Sequence, residues 1–369
     1  MYKLNSRDGK CLKPTAALKK GADRNPNPNS LRIPICEVLE PINLAKDNRK
    51  IGRLVKRNVK PDTQTFLHKV REEVYMKKVL GGVLLACLAF PLQATFAQDM
   101  GKLLATGGVS QVEGSGGGGL TPWALITGYG TRDSFGGNVY FTYLPTQDYA
   151  LTSYGAALGL FDRLEVSVAQ QSLKGDLAPL NALNLRQDIF GVKLKLFGDA
   201  VYDQDTWLPQ VAVGVQYKRD QRISGLGALG VSNVKQLGAA NDKGTDIYLS
   251  ATKILLDQSL LVSGTVRATK ANQGGLLGFG GDLHDGYQLR FEGSFAYLFN
   301  RKLAAGVEYR QKSNNLALDK NEKDWGDAFV AYFPSRNLSI TAAYVNLGPI
   351  TVLNTKSQRG LYVSIQAGF

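Results

Sequence analysis

Leu361-Tyr362-Val363-Ser364-Ile365-Gln366-Ala367-Gly368-Phe369 is the stretch on which the reading of this chain turns. In an extended strand successive side chains point to opposite faces. Leu361, Val363, Ile365, Ala367 and Phe369 therefore share one face, and Tyr362, Ser364, Gln366 and Gly368 share the other. One face is wholly apolar and the other polar or small. Segments of roughly ten residues with this alternation, separated by turns, are what a membrane-crossing β-barrel requires, because lipid-facing and lumen-facing positions alternate. The aromatic residue at the end of an alternating strand adds a second expectation. Phe369, with Ala367, Ile365 and Val363 on the same face, resembles the C-terminal signal that the barrel-assembly machinery reads on outer-membrane proteins.

The pattern recurs upstream. Tyr287, Leu289, Phe291, Phe295 and Tyr297 alternate with Gln288, Arg290, Glu292 and Ser294. Leu303, Ala305, Val307 and Tyr309 alternate with Gly306, Glu308 and Arg310, and Val211, Val213, Val215 and Tyr217 with Gln210, Gly214, Gln216 and Lys218. Phe190, Val192, Leu194 and Leu196 oppose Lys193 and Lys195. A soluble sandwich also alternates, but its core would then have to take up these aromatic-rich stripes. The expected class is all-β: a transmembrane, antiparallel, up-and-down β-barrel over residues 98–369.

Short turns are expected at 161–163, 257–259, 300–301 and 334–337, with longer ones near 131–136 and 199–206, and long polar loops near 114–121, 173–185, 220–243, 271–284, 313–324 and 348–357, with a short one at 145–148. Short turns belong on the periplasmic side and long loops outside, and the strand number is even. Counting back from Phe369 gives about 14 strands with the first inside 102–113; 12 is the alternative, because that segment is rich in Gly and Thr. Trp123, Tyr129, Tyr140, Tyr143, Tyr149, Trp207, Trp325, Tyr332 and Phe333 are expected to form interfacial girdles.

Charge near the lipid midplane costs about 2–4 kcal/mol for Arg or Lys, so charged alternating positions are expected to face inward. These are Glu165, Lys193, Lys195, Lys218, Arg267, Arg290, Glu292, Glu308 and Arg310, a mildly cationic set. Two uses compete: a pore with modest anion preference, or a salt-bridge network that braces the barrel, Arg290 and Glu292 meeting Glu308 and Arg310 across one hairpin.

The first 97 residues differ in kind. They carry 19 of the 44 basic residues, 8 of the 31 acidic ones and all three cysteines, so the remainder is almost neutral and free of thiols. Met76-Lys77-Lys78, the apolar run to Phe90, Pro91 and then Ala94-Thr95-Phe96-Ala97 read as a secretory signal cleaved between Ala97 and Gln98. Signals act from an N-terminus, so residues 1–75, coil-like around Asn25-Pro26-Asn27-Pro28-Asn29, are expected to be an upstream extension from a misplaced start. Glu72-Glu73 can be encoded within a string containing a ribosome-binding sequence. A lipidated Cys87 and a single-span anchor are weaker readings, since the apolar run falls short of the roughly 20 residues that a bilayer-spanning helix needs. The basic stretch from Arg49 to Lys60 lies in the discarded part, and no nucleic-acid partner is expected. The expected partners are outer-membrane lipid and the assembly machinery, in the outer membrane of a Gram-negative bacterium.

Chemistry-bearing motifs are sparse. His284 is the one histidine after residue 97, and nothing in the sequence brings it to Ser294 or Ser263 as a hydrolase would need. Asp282 and Asp285 flank it as turn residues before calcium ligands. The glycines at 114–119 lack the Lys-Ser/Thr of a phosphate loop. No catalytic residue, metal or cofactor is expected.

Gly107-Gly108-Val109-Ser110-Gln111, the GGGLTPWALITGY stretch from Gly117 to Tyr129, Tyr154-Gly155 and Gly159 to Glu165 resemble the proteobacterial family grouped as domain of unknown function 3034. That resemblance implies an exported outer-membrane protein and transfers no catalytic residue. The expected function is a channel for diffusion or uptake of small solutes. A non-conducting structural or surface-interaction protein is the alternative, and an outer-membrane hydrolase a distant one.

Overall fold

The computed structural model describes residues 102–176, 182–221, 223–225, 231–317, 322–350 and 356–369. The expected extension, the signal and the Ala97–Gln98 junction lie outside the described residues.

Two minimal strands come first, β1 (Val109–Ser110) and β2 (Gly116–Gly117), paired antiparallel. Twelve long strands follow: β3 (Phe135–Pro145), β4 (Tyr149–Leu160), β5 (Leu164–Gly175), β6 (Asn184–Phe197), β7 (Gln210–Asp220), β8 (Lys243–Leu255), β9 (Leu260–Thr269), β10 (Gln288–Asn300), β11 (Leu303–Arg310), β12 (Trp325–Ser335), β13 (Leu338–Asn346) and β14 (Arg359–Gly368). Each pairs antiparallel with its neighbours in sequence. β14 closes on β3, with Val363 opposite Tyr143 and Gly368 opposite Asn138. The result is a closed up-and-down barrel of 12 strands, the smaller of the two expected counts.

The difference from 14 has a local cause. Leu120-Thr121-Pro122-Trp123-Ala124-Leu125-Ile126 has consecutive apolar residues and no period of two, so it offers no separate lipid face. Every residue from Thr106 through Gly130 is buried. Residues 102–134 add no strand to the wall and form no outer loop: they fold as a plug whose residues 106–130 lie inside the barrel.

Alternation is strict in the wall. Along β6 Phe190, Val192, Leu194 and Leu196 are exposed, and along β10 Leu289, Phe291, Phe295, Tyr297 and Phe299 are exposed. The intervening side chains of β5–β9 are buried: Glu165, Ser167, Lys193, Gln216, Ser250 and Arg267. At one end the hairpins are tight, apart from the β6–β7 connection over 198–209. Phe161 and Asp162 take φ of 56° and 49° in the turn closed by Arg163 N–H to Leu160 O at 3.0 Å. Positive φ at both central residues matches the twist of the flanking strands. The register shifts in β6, β10 and β12 fall at this end too. At the other end the connections are long except for the turn at 146–148 between β3 and β4, and part of the β9–β10 loop folds back into the mouth, burying Ala271, Gln273, Leu276 and Phe279.

Wall and plug share one apolar core. Val109, Val112, Leu120, Trp123 and Leu125 of the plug cluster with Tyr149, Leu151, Leu173, Leu185, Phe329 and Tyr362 of the wall. Among the expected girdle residues, Trp123 and Tyr129 therefore belong to the plug, and Tyr140, Tyr149, Trp325 and Phe333 are buried inward. Tyr143, Trp207 and Tyr332 are exposed.

Candidate functional site

The plug enters and leaves at the tight-turn end. Lys102 Nζ donates to Ile126 O at 3.1 Å and pairs with Asp162 at 2.7 Å, fastening the entering strand to the departing one and to the turn. Where the plug leaves, Tyr129 N–H donates to Phe369 O at 3.3 Å, beside the seam where β14 meets β3. Phe369 also stacks edge-on against Phe135 with ring centroids 6.3 Å apart. Val363 and Ile365 face outward on β14, and Ala367 is half-buried.

An irregular buried backbone must find hydrogen-bond partners within the protein. The inward polar side chains of the wall supply them. Val112 O accepts from Gln171 Nε2 at 2.8 Å, from Ser153 Oγ at 2.5 Å and from Tyr140 Oη at 3.3 Å. Pro122 O accepts from Thr265 Oγ1 at 2.9 Å, Ala124 O from Gln210 Nε2 at 2.7 Å, and Ala124 N–H donates to Thr252 Oγ1 at 2.9 Å. Ser110 N–H donates to Gln366 Oε1 at 2.6 Å.

Three carboxylates do the heaviest gripping. Glu165 accepts from the N–H groups of Gly116 and Thr127, both at 2.9 Å, and from Ser115 Oγ at 3.0 Å. It pairs with Lys193 at 3.0 Å, and Lys193 donates in turn to Gly116 O at 2.8 Å and Trp123 O at 3.1 Å. Glu308 accepts from Leu120 N–H and Thr121 Oγ1, each at 2.7 Å, and from Ser294 Oγ at 2.8 Å. Ser294 also accepts from the Trp123 indole at 2.9 Å.

The third is Glu113, the sole charged residue between Lys102 and Arg132. It reaches Lys218 at 2.6 Å, Arg310 at 2.8 Å and Arg267 at 3.7 Å. These cations also meet wall carboxylates: Lys218 and Arg267 meet Asp246 at 2.8 and 3.5 Å, and Arg267 and Arg310 meet Glu292. Three basic groups thus face three acidic groups, all almost wholly buried, and one acid comes from the plug. Burying ions is costly unless each is paired and hydrogen-bonded; here Glu113 completes the balance.

Of the nine charges expected inside, Glu165, Lys193, Lys218, Arg267, Glu292, Glu308 and Arg310 sit in these clusters. Lys195 lies at the tight-turn end, 2.7 Å from Asp162 and 3.5 Å from Asp199. There burial pushes the Asp199 carboxyl up, but the N–H groups of Tyr202 and Val201 and the Lys195 ammonium outweigh it and hold the carboxyl below its usual range. Arg290 is half-buried near the long-loop end and donates to Ser313 Oγ at 3.3 Å. Arg310 and Glu292 meet across the β10–β11 hairpin as expected, whereas Arg290 lies opposite Arg267 and does not reach Glu308.

The expected cationic interior is corrected. Asp220, Asp246 and Asp327 also face inward from the wall, and Glu113 joins them from the plug. Asp246 was legible: it continues the Tyr248, Ser250, Thr252 face of β8. Asp220 closes β7 and Asp327 lies near the start of β12, where loop and wall are hard to tell apart by period. Glu113 gave no signal, because the plug has no period.

Two cavities of about 20 and 10 Å³ lie at the tight-turn end, one beside Lys102, Asp162 and Asp199, the other beside Tyr129, Arg336 and Gln366. Each is room for about one water molecule. His284 is exposed in the β9–β10 loop, while Ser294 and Ser263 are buried in the wall, Ser294 committed to the plug and Ser263 to Thr252. Among the described residues no group of three or more metal-ligating side chains occurs, and no helix is long and apolar enough to cross a membrane.

A family model described as "Protein of unknown function (DUF3034)" matches residues 106–366, which spans plug and barrel together. No curated protein matches the chain. Among solved structures, a KdgM porin is similar at 9% identity and TM-score 0.36, covering 63% of this chain and 99% of that one. A NanC porin is similar at 11% identity and TM-score 0.41, with 63% and 98% covered. The outer membrane phospholipase A from Escherichia coli is similar at 10% identity and TM-score 0.36, with 62% and 92% covered.

Proposed function

This chain belongs to the DUF3034 family of proteins of unknown function, and we propose that it is an outer-membrane barrel held shut by residues 102–134. Solute passage then requires that the plug move. The observation that carries this reading is the filling of the barrel by the plug, with Glu113, Glu165 and Glu308 at its grips. The outward belt of Phe, Leu, Val and Tyr side chains supports placement in lipid, since a soluble protein exposing so much contiguous apolar surface would associate. The tight turns then face the periplasm and the long loops the exterior.

Polar grips favour a plug that moves over one that never does. Hydrogen bonds and ion pairs exchange for water when a lumen wets, whereas a purely apolar interface would only lose by it. A non-conducting structural barrel is the second reading, favoured by the apolar contacts of Val112, Leu120, Trp123 and Leu125 with the wall. Neither reading uses an enzymatic group.

Planar-bilayer recording of the full chain, purified from membranes, separates the two. A mobile plug gives a silent resting state and openings that become frequent in Glu113→Gln. Silence in wild type, Glu113→Gln and Glu308→Gln alike, with no uptake defect on deletion, leaves the structural reading. A steady open pore in wild type overturns the plugged barrel.

A further inference from the structure

We propose that the rim of β6–β8 on the outside of the barrel, at the long-loop end, binds the phosphate groups of the glycolipid that forms the outer leaflet. The inference rests on the outer-membrane reading above and adds a specific lipid contact to it. Arg186, Arg219 and Lys243 are exposed, each flanked along its strand by less exposed residues, on the same side as the apolar belt. Arg219 and Lys243 are direct cross-strand partners. Arg186 lies one strand away, its carbonyl accepting from Gln221 N–H at 2.8 Å. Like charges directly opposite on a sheet are destabilising. Among the described residues none of the three has an ion pair or a side-chain hydrogen bond.

The neighbouring carboxylate forms no ion pair with them among the described residues. Asp188 is the cross-strand partner of Arg219, yet its two oxygens accept from Gln170 Nε2 at 2.7 Å and Gln221 Nε2 at 2.9 Å. Tyr154 Oη donates to Gln170 on the other side. A hydrogen-bonded polar ladder therefore crosses β4, β5, β6 and the end of β7 on the outer face, at the level where the apolar belt stops. Below it lie Leu158, Val168, Phe190, Tyr217 and Ile247, all exposed.

Acyl chains fit the surface below the ladder and anionic headgroups the surface at it. Phosphates suit the cations above: guanidinium binds phosphate bidentately through charge-assisted hydrogen bonds. A diphosphorylated glycolipid presents two anions at one height, which answers the excess of two positive charges that Arg186, Arg219 and Lys243 on three adjacent strands carry over Asp188.

The test uses the full chain in detergent, offered a diphosphorylated lipid-A-type glycolipid, the same glycolipid with its phosphates removed, and inorganic phosphate as competitor, read by native mass spectrometry. Wild type should retain the phosphorylated form over the dephosphorylated one by about tenfold or more, and the Arg186→Ala/Arg219→Ala/Lys243→Ala variant should lose that preference. The heat-modifiable barrel band on gels should be unchanged in the variant. Should the triple variant fail to fold, Arg219→Gln alone is read the same way and should weaken retention. Equal retention by variant and wild type, or of both glycolipids by wild type, overturns the proposal. Displacement by millimolar inorganic phosphate overturns it too, in favour of a free-anion site. A chain that will not insert into phospholipid bilayers fails the outer-membrane reading; one that inserts without discriminating the glycolipids fails only this inference.

Discussion

The Glu113 carboxylate lies 2.6 Å from the Lys218 ammonium, and this contact joins the plug to the wall at the centre of a buried cluster of three acids and three bases. The plug supplies the charge that makes the cluster neutral. Removing it should leave three cations facing two carboxylates in a buried site.

Glu113→Gln should therefore destabilise the closed state by about 3–5 kcal/mol, the usual cost of breaking a buried pair from one side. The check is the temperature at which the folded barrel band is lost on gels. Adding Lys218→Met should recover part of the loss, because the surplus cation is then gone. A double variant as unstable as the single would speak against the cluster.

Gly118→Ala tests the Glu308 grip. A Cβ at Gly118 would collide with the Glu308 carboxylate, which must stay in place to hold Leu120 and Thr121. Overpacking of this kind costs about 1–3 kcal/mol. At Gly264, on the outer face, a Cβ meets nothing within 4 Å. Gly264→Ala should be neutral or slightly stabilising by the same gel measurement.

Glu308 and Asp327 are direct cross-strand partners, both buried, and neither forms an ion pair among the described residues. Among the described residues neither Asp327 side-chain oxygen has a hydrogen-bond partner. Asp327→Asn removes one of two facing acids and should raise the unfolding temperature, whereas Glu308→Gln, which weakens the grips on Leu120 and Thr121 of the plug, should lower it.

The apolar belt predicts an asymmetry between faces. Phe295→Arg on the exposed side of β10 should cost about 2–4 kcal/mol in lipid and reduce folding yield into phospholipid vesicles. In detergent micelles, which adapt around a charge, the same variant should fold nearly as well as wild type.

How much of this could be read from residues alone follows from period. The barrel was legible, because Phe190-Val192-Leu194-Leu196 and Leu361-Val363-Ile365 repeat every second residue and their partners are polar. The turn at 161–163 and the loops between strands were legible from the breaks in that period. The identity of the lumen was not. Lys193, Gln216, Arg267 and Glu308 would face inward equally in a wet pore or around a plug, since a strand alternates the same way whatever lies across from it. The plug carries consecutive apolar residues around Trp123, glycines that allow close backbone approach, and a single charge between Lys102 and Arg132. Those are marks of a buried irregular segment, and they become decisive only when the wall is seen to answer them group by group.

The most direct test of the plugged barrel is a disulfide trap. Thr121 Oγ1 of the plug and Ser294 Oγ of β10 lie 2.5 Å apart, so cysteines at these positions would have Cβ atoms near the roughly 3.5–4.5 Å that a disulfide spans. In the membrane-embedded full chain, Thr121→Cys/Ser294→Cys should cross-link on mild oxidation and shift on a non-reducing gel, while each single variant should not. Two free thiols that both react with a membrane-impermeant maleimide, with no cross-link, would place residues 102–134 outside the barrel and contradict the account.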